Sequence, residues 1–314
     1  MKTRDVFISA MLFTVMFMAC DKAGTEPENI PAPVPLDGRG GGVIAYCYQP
    51  LTGGRHQLYG INADGTGGRR LIEAAIGLNH YDWSPDGTTI ASVGYMDTFN
   101  GTWSIHLIAA DGMNLVRLTT TNNVNDNDPS WSPDGSQIAF MRIYPDQNNR
   151  EEIWIMNADG TDQHYIGIEG GSPKWSPNGE RLIYHAMRGD DYDICTCRID
   201  GTDERVLIAT ADGDITPVYS PDGMRVAFTR VGADLTHHVT LADADGSNLV
   251  RLTNSPYGGG APRWSPDGLM IAFHSGPFEG WDVWIIDADG SNLRQLTVSP
   301  GGVTAINPVW NPTL

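Results

Sequence analysis

A five-residue segment, Trp-Ser-Pro-Asp-Gly, recurs along the chain at nearly constant spacing and constrains the fold more than any other feature. It is intact at Trp83–Gly87, Trp131–Gly135 and Trp264–Gly268, varied at Trp175–Gly179 and Tyr219–Gly223, and shortened at Trp310–Pro312. The successive aromatic residues lie 48, 44, 44, 45 and 46 positions apart. A period of about 45 residues built from short strands is typical of a β-propeller blade.

Each repeat predicts four short antiparallel strands joined by tight turns. The aromatic residue ends the first strand, and Ser-Pro-Asp-Gly supplies a turn with Pro at its second position and Gly where a positive φ is needed. In one repeat the second strand is predicted at Ile138–Phe140 and the third at Ile153–Met156, followed by the turn Ala158–Thr161. The last strand is short, as at Arg117–Thr119 in another repeat. Such Asp-Gly turns between apolar runs indicate hairpins, so each repeat is a meander.

The two ends of the repeat array complement one another. The array begins at Ile44–Tyr46, a second-strand sequence with no first strand before it, and ends at Asn307–Trp310, a first strand with nothing after it. Together they predict one composite blade, blade 1, and the aromatic residues Trp83, Trp131, Trp175, Tyr219 and Trp264 begin blades 2 to 6. The predicted fold is therefore all-β, a six-bladed propeller closed by pairing the C-terminal strand with the N-terminal blade.

The N-terminal segment has the pattern of a targeting sequence. Lys2 and Arg4 precede an apolar stretch over residues 6–19, which is too short to span a bilayer but suits a signal peptide. The stretch runs into Cys20, and the surrounding residues resemble a bacterial lipoprotein box in which this cysteine is lipidated after cleavage. We predict a signal peptide at 1–19, a lipidated Pro- and Gly-rich tether at 20–42 and the propeller at 43–314. Ordinary secretion and a retained membrane anchor are the alternatives.

The net charge and the cysteine positions limit the classes of binding partner and the disulfides that we expect. The formal net charge is −18 and only Lys2, Lys22 and Lys174 are lysines, which argues against nucleic acid or an anionic membrane surface as a partner. Cys195 and Cys197 take the places of packing residues in other repeats, and Cys47 lies in blade 1, so we expect buried thiols. A disulfide from Cys47 to either of the others is not expected, because blades 1 and 4 lie opposite one another in a six-bladed ring.

The paired Trp-Ser-Pro-Asp-Gly and Ala-Asp-Gly-Ser/Thr turns resemble the propeller repeats of TolB, the periplasmic component of the Tol–Pal envelope system. The resemblance covers essentially the whole chain beyond the tether and implies a TolB-like scaffold of WD-like repeats in the cell envelope. TolB carries an α/β domain before its propeller and is soluble, whereas this sequence has only about twenty linker residues there and predicts a lipid anchor. The repeats are also similar to the propeller domains of prolyl-oligopeptidase-type peptidases and to the oligogalacturonate lyase scaffold, so the fold alone leaves the activity open.

Candidate site residues come from the face of the ring opposite the two repeated turns. Loops of varying length collect on that face, and loops on a rigid scaffold commonly carry function. The polar residues expected at this propeller mouth are His80, Asp126, Asp128, Arg142, His185, Asp190, Asp191, Asp214, Arg230 and His274.

Two classes of function fit these residues. The first is a non-catalytic lipoprotein of the bacterial cell envelope, facing the periplasm or the exterior, whose mouth binds a protein partner without a cofactor. The alternative is a metal-dependent, lyase-like enzyme or a saccharide-binding propeller, because His80, His185 and His274 lie on alternating blades and a divalent cation such as zinc or manganese accepts such ligands. The sequence contains no Gly-x-Ser-x-Gly nucleophile motif and no phosphate-binding loop, which favours the first class.

Overall fold

A computed structural model describes residues 38, 40–50, 56–72, 77–95, 102–254, 258–277 and 280–313. These residues form 24 β-strands and a single turn of 3₁₀ helix at Pro145–Gln147. The strands assemble into six four-stranded antiparallel sheets. The predicted all-β, six-bladed propeller is confirmed. The predicted signal peptide and Cys20 lie outside the described residues, and no helix within those residues is long and apolar enough to cross a membrane.

The strands of each blade run from the channel outward in the order predicted from the repeats, with the C-terminal strand innermost in blade 1. They are β1 Val43–Pro50, β2 Gln57–Asn62, β3 Arg69–Ile72 and β24 Val303–Trp310 in blade 1; β4 Gly77–Trp83, β5 Thr89–Tyr95, β6 Trp103–Ala109 and β7 Val116–Arg117 in blade 2; β8 Asn125–Trp131, β9 Gln137–Tyr144, β10 Arg150–Asn157 and β11 His164–Glu169 in blade 3; β12 Gly171–Trp175, β13 Arg181–Arg188, β14 Asp191–Arg198 and β15 Arg205–Ile208 in blade 4; β16 Gly213–Tyr219, β17 Arg225–Val231, β18 His237–Asp243 and β19 Val250–Arg251 in blade 5; and β20 Gly260–Trp264, β21 Met270–Ser275, β22 Asp282–Asp287 and β23 Arg294–Gln295 in blade 6.

The ring closes through β24, as the sequence predicts. β24 pairs antiparallel with β1, placing Trp310 opposite Ile44, and the Asn311 amide donates a hydrogen bond of 2.8 Å to the Val43 carbonyl. The Trp310 indole Nε1 donates to the Arg263 carbonyl of blade 6 at 3.1 Å. The last strand of the chain therefore completes the first blade and also ties it to the last one.

The two repeated turns of each blade lie together on one face of the ring. In the first turn of blade 2, the Ser84 hydroxyl donates to Asp86 at 2.6 Å, and Gly87 has a φ of +69°, which glycine adopts without strain. The Ala110 amide of the second turn donates to the Thr88 carbonyl of the first at 2.9 Å. Because both turns occupy this face, the loops between second and third strands emerge on the other.

The core lies between the blades and is built from equivalent positions of the second strands. Phe140, Tyr184, Phe228 and Phe273 occupy the same place in blades 3 to 6 and are almost completely buried. Cys47, Cys195 and Cys197 are buried and form no disulfide with one another, which confirms the expectation of buried thiols at packing positions. Burial raises the pKa of Cys47 to about 12, so this thiol is unreactive at neutral pH.

Candidate functional site: the central channel

Every innermost strand carries a β-bulge at the same place, three residues before its aromatic residue. The strand register shifts there in all six blades. The bulged residues have φ values from +27° to +52° although none is glycine; this left-handed ring consists of His80, Asp128, Ser172, Thr216, Ala261 and Asn307. Non-glycine residues rarely adopt this conformation, and it concentrates at functional sites. A bulge also re-aims a side chain, which here brings the six residues to the axis.

The left-handed ring surrounds a cavity of about 310 Å³ that we call the channel cavity. All six ring residues line it, so every blade contributes to it. Its other polar lining residues are Gln49, Asn79, Lys174, Thr229, His237, Arg263 and His274, and its apolar lining includes Ile215, Val231, Leu235, Pro277, Trp281, Ile306 and Val309. The cavity thus combines an apolar wall with a few convergent polar groups, as small-ligand sites do.

An ion pair joins blades 2 and 3 at the cavity. His80 Nδ1 lies 2.5 Å from Asp128 Oδ1, and the Ser172 hydroxyl of blade 4 donates to the other carboxylate oxygen at 2.8 Å. Burial opposes ionisation of Asp128, but the charge of His80 and these contacts outweigh it and hold the pKa of Asp128 well below its usual range. Three neighbouring blades are therefore linked through one partly buried carboxylate.

His274 lies against an aromatic ring on the opposite side of the cavity. Its imidazole stacks on Trp281 with ring centroids 4.7 Å apart and planes inclined by 14°. Burial, reinforced by His237, His80 and Arg263 nearby, lowers the pKa of His274 to about 3. The ring is therefore neutral at physiological pH.

Two cations also reach the cavity, from the residues that precede the aromatic position in blades 4 and 6. Lys174 is 7% exposed, and its Nζ donates to the Pro129 carbonyl at 3.2 Å. The Arg263 guanidinium donates from Nη1 to the Pro262 carbonyl at 3.0 Å. Burial, and then the charge of Arg263, lowers the pKa of Lys174 to about 8. Within the described part of the chain neither cation has a carboxylate within 4 Å.

Four of the predicted site residues instead form ion pairs inside single blades. Asp126 and Arg142 face each other across β8 and β9, with nitrogen–oxygen distances of 2.6 and 3.1 Å, and the guanidinium lies 4.2 Å from the Trp154 ring centroid. Asp214 and Arg230 repeat this arrangement in blade 5 at 2.8 and 3.2 Å. None of the four lines the channel cavity. Each charged side chain of the two pairs already has an oppositely charged partner in its own blade, so we interpret the pairs as structural.

His185 and Asp190 also lie away from the cavity lining. His185 Nε2 is 3.9 Å from Glu151, and the imidazole meets the Tyr192 ring edge to face with centroids 5.0 Å apart. Asp190 is exposed in the turn between β13 and β14, and Asp191 begins β14. Of the predicted residues, the structure brings His80, Asp128 and His274 to the cavity.

The three histidines of the metal hypothesis do not converge. Across the residues that the structure describes, no three His, Cys, Asp or Glu side chains form a group able to hold a metal ion. Each histidine has another neighbour instead, namely Asp128 for His80, Glu151 for His185 and Trp281 for His274. Alternation among the blades was therefore an insufficient criterion, because His185 lies outside the lining of the cavity that His80 and His274 share.

Sequence reasoning missed Lys174, Arg263, Thr216, Asn307 and Trp281 as cavity residues. The first four lie one or three residues before the aromatic position of a repeat, so counting back from each aromatic would have found them. Trp281 lies in the loop before β22, and its sequence carries no comparable signal. The strands, rather than the loops alone, supply most of the lining.

Comparisons with known proteins place this geometry in a family. The family model described as "TolB beta propeller domain" matches residues 41–252 and 185–313. The chain is 32% identical over 135 residues to an uncharacterized protein of Agrobacterium fabrum, covering 39% of this chain and 46% of that protein. It is 29% identical over 116 residues to the Tol-Pal system protein TolB of Anaeromyxobacter dehalogenans, covering 36% of this chain and 26% of the relative.

A solved structure supports the same fold. The crystal structure of TolB from Acinetobacter baumannii superposes with a TM-score of 0.73 at 22% identity, covering 87% of this chain and 67% of that one. The chain spans less than half the length of the two curated relatives. The likeness therefore concerns the propeller and its architecture.

Proposed function

Because the chain belongs to the family of TolB β-propeller domains, we propose that it is a non-catalytic protein of the bacterial cell envelope whose channel mouth binds a protein partner. The observation that carries the proposal is the channel cavity itself, to which all six blades contribute a residue in left-handed conformation. Backbone strain repeated around one axis is the mark of a preorganised binding surface. The named relative is a Tol-Pal system protein, which agrees with a role in the envelope.

The rim of the channel supports docking of another protein. Leu235, in the loop between β17 and β18, is 47% exposed at the edge of the cavity. Pro277 and Trp281 come from the adjacent loop of blade 6 and line the same edge. A few residues carry most of the binding energy in protein interfaces, and tryptophan is enriched among them. Blades 5 and 6 are therefore the side of the mouth that we expect a partner to contact.

The proposal includes anchoring of the mature protein through a lipid on Cys20. It rests on the charged, apolar and small-residue pattern of residues 1–20. Two or more acyl chains hold a protein at a bilayer because each buried methylene contributes about 0.8 kcal/mol.

Substitution at the rim tests the docking surface. Leu235→Asp introduces a charge at the mouth, and aspartate tolerates the left-handed conformation at this position, where φ is +63°. Proteins cross-linked to the wild type in native envelopes should be lost from the Leu235→Asp variant. The matched control is Leu269→Asp, since Leu269 is 66% exposed beside the repeated turns on the opposite face.

The two variants give distinct outcomes. Loss of the same cross-linked partner from Leu235→Asp and its retention by Leu269→Asp would support the mouth as the docking surface. Retention by Leu235→Asp, or equal loss from both variants, would refute it.

A further inference from the structure

Lys174 is an unusual residue for this chain. The protein carries a net charge of −18 and has three lysines, of which only Lys174 lies in the propeller. Lysine is almost never buried without a charged partner, yet this side chain is 7% exposed at the axis. Among the described residues, its one hydrogen-bond acceptor is the Pro129 carbonyl at 3.2 Å. An ammonium has three donors, so two of them have no acceptor among the described residues.

Arg263 repeats this situation two blades away. It also lies one residue before its aromatic residue, lines the same cavity, and donates to a single backbone carbonyl, that of Pro262. After burial, the charge of Arg263 is the next contribution that lowers the pKa of Lys174, so the two positive charges interact across the cavity. Holding two like charges in a poorly solvated space is unfavourable unless an anion offsets them.

Each of the two carboxylates near these cations accepts a hydrogen bond from another group. Asp82, at the equivalent position of blade 2, accepts the Trp131 amide at 2.9 Å. Asp128 contacts His80 and accepts the Ser172 hydroxyl. Both carboxylates favour the charged forms of Lys174 and Arg263 at a distance, but neither forms a direct ion pair with them in the described structure.

The rest of the cavity wall indicates the chemical character of the ligand beyond its anionic group. Ile215, Val231, Leu235 and Trp281 form an apolar side within the same space. The volume of about 310 Å³ is at the small end of the range for ligand sites. We propose that the channel cavity binds a small organic monocarboxylate, with its carboxylate between Lys174 and Arg263 and its short apolar body against this wall.

This proposal is independent of the protein partner. The carboxylate itself contacts Lys174 and Arg263 at the axis, whereas a docked protein contacts the rim; Leu235 and Trp281 belong to both surfaces. The outcome of the ligand titration therefore does not depend on the outcome of the cross-linking experiment with the Leu235→Asp variant.

The test uses full-length protein carrying Cys20→Ser, titrated calorimetrically with hexanoate and, separately, with the neutral analogue hexan-1-ol. We expect saturable binding of one hexanoate per chain and at least tenfold weaker binding of hexan-1-ol, because the alcohol cannot neutralise the two cations. Lys174→Met and Arg263→Met keep much of the side-chain volume and should each weaken hexanoate binding at least tenfold. Lys174→Arg, which restores the charge, should bind within a few-fold of the wild type.

The control is Arg205→Met, because Arg205 is an exposed cation paired with Asp203 far from the cavity lining. It should bind hexanoate as the wild type does. The proposal is overturned by the absence of saturable hexanoate binding, by equal binding of hexan-1-ol, or by unchanged binding in folded Lys174→Met protein. The comparison of hexanoate with hexan-1-ol uses no cavity variant, so it decides the question even where a methionine variant does not fold.

Discussion

At the scale of single residues, the propeller handles buried charge in two ways. Asp126 with Arg142, and Asp214 with Arg230, form two-point ion pairs within one blade. Among the described residues, Lys174 and Arg263 instead have only backbone acceptors, and both line the cavity. We interpret the paired charges as structural, because removing one partner leaves the other charge buried without a counter-charge. Charged groups that line a cavity without an ion-pair partner are available to a ligand.

Removing a member of an intrablade pair should destabilise the fold strongly. Asp126 is 1% exposed and Arg142 is 4% exposed, so Asp126→Ala leaves a buried guanidinium without its carboxylate. We expect the free energy of unfolding to fall by about 3–5 kcal/mol in urea denaturation. The exposed Asp190→Ala variant should change it by no more than about 0.5 kcal/mol. Similar values for the two variants would show that the Asp126–Arg142 pair contributes little.

Buried neutral histidine should make stability depend on pH. The pKa of His274 is about 3 in the folded protein against 6.5 for an unperturbed imidazole, so the group favours folding above pH 6.5 and this contribution is lost as the pH falls toward 3. Between pH 7.5 and pH 5 the unfolded chain gains a proton at this site and the folded chain does not, which costs about 2 kcal/mol.

The variant His274→Phe retains the stacking on Trp281 but cannot titrate. The loss of unfolding free energy between pH 7.5 and pH 5 should shrink by about 2 kcal/mol relative to the wild type. His164→Phe, at an exposed imidazole on β11, should leave the wild-type pH dependence intact. An undiminished pH dependence in His274→Phe would mean that this imidazole is protonated in the folded state.

At the scale of structural elements, the inner strand with its bulge is the unit that builds the site. Repeated turns set the length of each hairpin, and the bulge three residues before the aromatic residue turns one side chain toward the axis. The bulged residues differ in every blade while the turns are repeated. The hairpins therefore provide the scaffold, and the bulge positions provide the chemical identity of the channel.

Two alanines on adjacent strands test the strain in the bulge. Ala261 lies in the left-handed ring with a φ of +51°, where alanine is strained by about 1–2 kcal/mol and glycine is not. Ala272 is fully buried in the regular part of β21. Ala261→Gly should leave the free energy of unfolding unchanged or raised by up to about 1 kcal/mol, since relief of strain offsets the added backbone entropy. Ala272→Gly should lower it by about 1 kcal/mol or more.

Both substitutions replace alanine by glycine, so a difference between their effects on the free energy of unfolding reflects the backbone conformation at the two positions. Urea denaturation of both variants against the wild type measures it. Equal losses of stability would show that the bulge at Ala261 is not strained.

At the scale of the whole molecule, the ring depends on its last strand. β24 pairs with β1, and Trp310 donates a hydrogen bond to blade 6. Each blade packs on both neighbours, so an open ring exposes two blade faces and one unpaired strand edge. The fold is therefore cooperative in a way that an open array of repeats is not.

Deletion of residues 303–314 should abolish cooperative folding, because it removes β24 and the packing of Trp310. Thermal unfolding followed by circular dichroism should show a broad or absent transition in place of a sharp one. An internal deletion of similar size is not a suitable control, because it also opens the ring. The control is Val298→Thr, at a residue that is 85% exposed just before β24, and this variant should unfold like the wild type. A truncated protein that unfolds like the full chain would contradict closure through β24.

Lipid attachment is the second property of the whole molecule that can be tested directly. Cys20→Ser should abolish incorporation of labelled fatty acid and move the protein from the membrane fraction to the soluble fraction. Cys47→Ser, at a buried thiol of blade 1, serves as the control and should remain membrane-bound. Wild-type protein found in the soluble fraction would show that Cys20 carries no anchor.

The repeat sequence by itself determined the strand number, the blade number and the closure of this propeller. Pro-Asp-Gly and Asp-Gly turns act over a few residues, so their spacing specifies each hairpin before any long-range contact forms. The unmatched first strand at Asn307–Trp310 likewise predicted its pairing with Ile44–Tyr46, which the structure confirms.

Only the tertiary structure decided which side chains reach the axis. Strand residues alternate between faces, and a one-residue bulge reverses that alternation, so the alternation along a strand did not reveal which side chains point to the axis. Asp126 and Asp128 are two residues apart, yet one pairs within its blade and the other contacts His80 of the neighbouring blade. Lys174 and Arg263 are 89 residues apart and meet at one cavity because the ring closes. Contacts between blades depend on the geometry of the closed ring, which no local sequence pattern encodes.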